Sequence, residues 1–156
     1  MTLSAQHVYI KELTPAIKEF IAKHHILTLA TSYNNIPYCC TCFYIYNKTQ
    51  NYFIITSDKK TRHIQEIMMQ PIVSWAIALE TSMVGKLQGL QFTGVIKEVD
   101  KAELNKEKYS YIKRFPIASL AELQLWRMDP DFIKFTDNQL GFGKKMIWEK
   151  EKLTGI

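Results

Sequence analysis

The chain has 156 residues, 47% of them apolar and 22% charged, with a net charge of +5. That length and balance describe one soluble globular domain, residues 1–156, with enough apolar residues to build a core. No apolar run reaches membrane-spanning length, "MTLSAQHVYIKELT" holds no signal-peptide core, and the cations are dispersed among acids, so a cytoplasmic protein with neither a membrane nor a nucleic-acid partner is expected.

Thr14-Pro15 opens the first helix, with Thr as N-cap and Pro at the first helical position. Ile17, Phe20 and Ile21 give it one apolar face, which ends near His24-His25. "ILTLATS" and "YCCTCFYIY" read as two strands of a hairpin, joined at "YNNIP", where Asn34 and Asn35 tolerate left-handed geometry. After the turn "NKTQN", "YFIITS" is a third strand. A helix follows with Ile64, Ile67 and Met68 on one face, stopping before Pro71. "IVSWAIALE" is apolar almost throughout, as in a central strand covered on both sides. In "LQFTGVIKEV", Leu90 and Phe92 alternate with Gln91 and Thr93, and Gly94 marks a bulge or a corner. Asp100 and Glu103 form a capping pair for a helix from Lys101 to Phe115, which Pro116 ends. "LQLWRM", "DFIKFT" and "KKMIWEK" complete the strands, with turns at Asp129-Pro130 and from Asp137 to Gly143. The sum is a mainly β protein: six or more strands, mostly antiparallel, in a barrel decorated by about three helices.

The chemistry concentrates in "TSDKKTRHIQ". A helix start prefers an anion, yet cations are gathered here. One reading is a phosphate cradle: hydroxyls from Thr56, Ser57 and Thr61, charged donors from Lys59, Lys60 and Arg62, and free N–H groups at the helix start. The other is an ordinary helix capped by Ser57 or Asp58, with its cations in solvent. His63 stands close enough to donate to an anion, or is simply a surface residue. A glycine-rich P-loop is absent. Cys39, Cys40 and Cys42 crowd into four positions and read as reduced thiols, with Cys40 and Cys42 on one strand face. No CxxC or HExxH spacing exists, so no metal site is expected.

The order of the hairpin "LATSYNNIPYCCTCFYIY", the strand "NYFIITS" and "DKKTRHIQEIMMQPIVSWAI" resembles the pyridoxamine 5'-phosphate oxidase-like FMN-binding split barrel. Thr56, Ser57, Lys60 and "QPIVSW" fall where that superfamily has a Thr/Ser strand end, a Lys and an "NP-x-V"-like strand. "FPIASL", followed by "LWRMDPDFIKFTDNQLGFGKKMIW", is similar to the YhbP family of small bacterial proteins, over about residues 14–149. The resemblance implies a six-stranded or larger antiparallel split barrel that works as a homodimer, with FMN in a groove between protomers. It implies the flavin phosphate at Thr56, Ser57, Lys60, Thr61 and Arg62, and the ring along Cys40, Thr41 and Cys42. An FMN-dependent oxidoreductase of unknown substrate is then expected; the alternative is a non-catalytic binder of flavin, haem or another anionic metabolite. The true oxidases carry an Arg-containing "R-x-V-L-L-K" strand and an "R-L-A-P" ending. "CCTCFYIY" has no cation and that ending is missing, which argues against pyridoxamine phosphate as substrate. Lys144 and Lys145, after "LGFG", follow either a plain turn into an edge strand or, as the resemblance implies, a loop that closes over the partner's groove.

Overall fold

The computed structural model describes residues 6–141 and 144–151. In chain order it runs β1 (Gln6–Tyr9), α1 (Pro15–Lys23), β2 (Ile26–Tyr33), β3 (Ile36–Asn47), β4 (Tyr52–Thr56), α2 (Arg62–Met69), β5 (Ile72–Ala78), β6 (Gln88–Glu98), α3 (Leu104–Arg114), β7 (Leu125–Asp137) and β8 (Lys144–Glu149), with short 3₁₀ turns between. Strands β7, β4, β3, β2, β5 and β6 pair in that order, and β6 returns to β7. Every pairing in this ring is antiparallel, so the six strands close into a barrel with no free edge among them. β8 adds to β7 outside the ring, and β1 pairs parallel with β8.

Local chemistry explains the turns. Asn34 and Asn35 both take positive φ, 51° and 62°, which gives the primed two-residue turn that suits the twist of a hairpin. Thr14 accepts a hydrogen bond from the Ile17 amide at 3.3 Å and caps α1, as its sequence indicates. The barrel interior is filled by Leu27, Leu29, Tyr44, Phe53, Trp75, Phe92, Met128 and Ile133, with Trp75 and Phe92 stacked at 5.0 Å. A second apolar cluster, including Tyr52, Ile54, Tyr111 and Leu125, lies under α3.

Several elements depart from their sequence expectation. β7 runs unbroken through Asp129-Pro130, where a turn is expected. Its register against β6 skips Asp131: Thr93 faces Phe132 and Gly94 faces Pro130. The strand thus absorbs Pro130 at a bulge, where a missing N–H costs no ladder bond. Gly94 makes this fit possible, because a Cβ there would stand 2.1 Å from the Asp129 carbonyl oxygen. α3 begins at Leu104 rather than Lys101, and neither acid caps it: Glu103 lies 3.6 Å from Arg127, and Asp100 pairs with Lys97. Met68 is 53% exposed, whereas Ile64 and Ile67 carry the buried face of α2. β5 alternates buried and exposed, so the single chain covers only one face of a strand that is apolar on both. β1 has no strong periodicity of its own and owes its strand form to β8. No helix among the described residues is long and apolar enough to cross a membrane.

Candidate functional site

The turn between β4 and α2 is held rigidly from outside. The Ser57 amide donates to the Gln124 carbonyl at 3.1 Å, the Trp126 indole donates to the Ser57 carbonyl at 2.9 Å, and the Lys59 amide donates to the Gln124 side chain at 2.8 Å. Gln124 and Trp126 are therefore positioning residues that a local reading of the turn misses. Inside the turn, Asp58 accepts from the Lys60 amide at 2.7 Å, and its carbonyl accepts from the Thr61 hydroxyl at 2.7 Å. Asp58 thus closes the loop and does not cap the helix.

Thr61 is the N-cap of α2 and makes no side-chain cap bond, and the first turn carries no acid. The amides of Arg62, His63 and Ile64 have no intrahelical acceptor, since the first helical bond runs from the Gln65 amide to the Thr61 carbonyl. Ser57 Oγ lies 3.3 Å from Thr61 Oγ1, so two hydroxyls flank this open end. The Lys60 ammonium forms no ion pair among the described residues, whereas Lys59 pairs with Glu98 at 2.8 Å. Of the residues expected at a phosphate, Ser57 and Thr61 are thus brought together, with the Thr61 hydroxyl given to the Asp58 carbonyl, and Lys60 stands in the same turn. Thr56 instead gives its hydroxyl to the Gln124 carbonyl at 3.2 Å. Arg62 binds Glu66 at 2.8 Å and lies over the Tyr38 ring at 4.3 Å, so its guanidinium is already engaged. Thr31 donates to the other Glu66 oxygen, and these contacts, the Thr31 bond foremost, lower the Glu66 carboxyl.

The three ring-lining candidates divide between faces. Cys42 is buried and Cys40 half-buried on the inward face of β3, whereas Thr41 is exposed beside Cys39 and Phe43 on the outward face. Strand alternation makes this unavoidable, so no single flat ligand face is shared by Cys40, Thr41 and Cys42. On the outward side a groove of about 400 Å³ is lined by Thr28, Ala30, Cys39, Ser74, Ala76 and Thr93, among others. Small residues keep this space open.

Inward, Cys40 Sγ lies 3.8 Å from Cys42 Sγ, and a ring nitrogen of His63 completes a cluster in which all three atoms lie within 4.8 Å of one another. His63 Nε2 is 2.6 Å from Ser57 Oγ, which ties the cluster to the turn. The Cys42 hydrogen bond, then the bond and charge of His63, bring the Cys40 thiol down to about 5 against the opposing effect of burial. The same bond and burial push Cys42 up. The approach of His63 to the two thiols arises only through the fold, because β3 and α2 are far apart in sequence. Of the Gly-Phe-Gly loop, residues 142–143 lie outside the described residues; Lys145 donates to Thr136 Oγ1 at 3.1 Å, and Lys144 is exposed.

No family model matches the chain. Among curated proteins it is 36% identical to the UPF0306 protein YhbP of Escherichia coli O157:H7, over 88% of this chain and 93% of that one. It is 34% identical to the UPF0306 protein of Klebsiella pneumoniae strain 342, over 90% and 95%. The chain belongs to the UPF0306 (YhbP) family. Similar solved structures include HutZ, the haem storage protein from Vibrio cholerae, with a TM-score of 0.63 at 22% identity over 78% of this chain and 91% of that one. A Listeria innocua protein named for pyridoxamine 5'-phosphate oxidase gives 0.60 at 12% identity, over 77% and 94%. A FAD-binding protein from Mesorhizobium loti gives 0.62 at 14% identity, over 76% and 87%. The fold is therefore that of the pyridoxamine 5'-phosphate oxidase-like split barrel, as the sequence resemblance implies.

Proposed function

We propose that this UPF0306 protein binds FMN as a homodimer, with the flavin phosphate at the turn between β4 and α2. The observation that carries this reading is the uncapped start of α2, where free amides and the Ser57 hydroxyl lie in the same turn as Lys60, whose ammonium has no ion-pair partner among the described residues. Each of these is a donor, and together they suit a dianion far better than a carboxylate side chain or water alone. Continuing the β3–β4 register past the Tyr44–Ile55 pair carries Ser57 to the level of Cys42, so a phosphate here leaves the rest of the ligand free to run along β3. Thr41 on the outward face, with the adjacent groove, is the better ring contact; Cys40 and Cys42 lie behind it.

Bound flavin supplies hydride or electron transfer, and the protein anchors, orients and shields it. Among the described residues no carboxylate, histidine or lysine lines the groove, so the substrate chemistry rests on the flavin. The second reading, a non-catalytic carrier on the same barrel, draws on neighbours named for haem storage and FAD binding. Freshly purified protein should show a flavin absorption spectrum, and added FMN should be quenched saturably. A Soret band instead of a flavin spectrum would move the reading to haem. Reduction of the bound flavin by NADH or NADPH at a useful rate separates the oxidoreductase from the carrier.

The dimer is supported by the uncovered outer face of the barrel. Ile72, 57% exposed, Ile26, Phe43 and Val95 stand outward around small residues on a face that the single chain leaves open. An Ile72→Asp substitution should convert the dimer to a monomer in analytical ultracentrifugation while the melting temperature of the fold holds. A monomeric wild-type protein at micromolar concentration would overturn this part.

A further inference from the structure

We propose that Cys40, Cys42 and His63 form a zinc site at the inner edge of the barrel, beside the turn between β4 and α2. The inference does not require bound flavin, and Ser57 borders both sites. Tetrahedral zinc with bonds of about 2.3 Å to two thiolates sets those sulfurs about 3.8 Å apart. Cys40 Sγ and Cys42 Sγ stand 3.8 Å apart, already at that separation. A disulfide needs about 2.0 Å between sulfurs, and strand alternation holds i and i+2 side chains parallel, so the pair is spaced for a shared ion rather than a bond. The His63 ring nitrogen lies within 4.8 Å of both sulfurs, which puts an imidazole donor beside the thiol pair.

The donor set selects the ion. Two sulfurs and an imidazole with no carboxylate in the cluster favour a soft or borderline cation and reject magnesium and calcium, which demand oxygen. Three protein ligands leave a fourth position. Cys42 closes the site on the core side, whereas Cys40 and His63 are only partly buried, so that position faces the turn. Ser57 Oγ, 2.6 Å from His63 Nε2, is placed either to steady the ring through a hydrogen bond or to approach the ion itself. The geometry arises from an i, i+2 pair on one strand face and a helix start brought against it. Neither element carries a metal-binding spacing of its own, which is why none is expected from the sequence.

The test uses the full-length protein, stripped with a chelator under reducing conditions and titrated with Co²⁺ as a spectroscopic stand-in for zinc. One equivalent per chain should give a thiolate-to-cobalt charge-transfer band and tetrahedral visible bands, both displaced by Zn²⁺. Cys40→Ser, Cys42→Ser and His63→Ala should each weaken binding by more than about a hundredfold, beyond the usual loss for an outer-shell partner. Cys39→Ser, on the opposite strand face, should bind like the wild type. Zinc should also raise the melting temperature of the wild type and of Cys39→Ser but not of the other variants. Circular dichroism identifies any variant that fails to fold; if buried Cys42 proves intolerant, the partly buried Cys40 and His63 carry the test. Absence of the charge-transfer band in the wild type, or a band that survives loss of Cys40 or follows Cys39, overturns the proposal.

Discussion

Tyr52 donates its hydroxyl to Glu107 Oε1 at 2.6 Å, accepts from Asn47 at 3.0 Å, and carries the Arg127 guanidinium 3.8 Å above its ring. Glu107 is only 3% exposed, so its carboxylate depends on that hydroxyl. Tyr52→Phe keeps the ring and deletes the donor, and should cost about 2–3 kcal/mol in urea unfolding, the usual penalty for orphaning a buried polar group. A loss below about 0.5 kcal/mol would show that water replaces the hydroxyl. The same logic governs the candidate site. The hydroxyls and cations of "TSDKKTRHIQ" were legible as a donor cluster, because residue type alone states what can bind a phosphate. Which donors are free was not legible, since Glu66 takes Arg62 and the Gln124 carbonyl takes Thr56 only once the chain has folded.

At the scale of elements, strands with clear alternation or clear turns were readable. The hairpin of β2 and β3 follows from its apolar pattern and the Asn34-Asn35 turn. β7 was not readable, because Asp129-Pro130 carries a strong turn signal that tertiary pairing overrides. Gly94 on β6 is the permissive half of that override. A Gly94→Ala substitution would press a methyl group onto the Asp129 carbonyl and the Pro130 Cα at 2.1 and 2.8 Å, atoms of the backbone that cannot rotate away. We expect a loss of about 3 kcal/mol, measured by thermal or urea unfolding, at the upper end of overpacking costs. A neutral outcome would mean that β7 has no fixed bulge at Asp131. β1 leaves no sequence signal for a different reason: its partner β8 lies at the far end of the chain, and short strands paired at long range leave little local trace.

At the scale of the molecule, the barrel interior and the cluster under α3 together bury several phenols. Burial pushes Tyr46, Tyr52 and Tyr111 up to about 12 and raises Tyr44 further, with Glu107 adding to the effect at Tyr52. Each of these groups has a folded pKa above its unfolded value near 10. Their contribution to stability is therefore complete below about pH 10 and is lost as pH rises through about 12, because the unfolded chain releases protons that the barrel retains. The fold should show a steep alkaline transition beginning near pH 10, with Tyr52→Phe releasing fewer protons. A flat stability profile to about pH 12 would mean that the phenols reach solvent.

The phosphate placement is tested most directly by comparing two ligands that differ only in the phosphate. FMN should bind about a hundredfold more tightly than riboflavin, as two or more charge-assisted donors imply, and Lys60→Ala should remove most of that difference while leaving riboflavin affinity unchanged. Equal affinity for the two flavins, or a preference for FMN that Lys60→Ala leaves intact, would contradict a phosphate site at the start of α2.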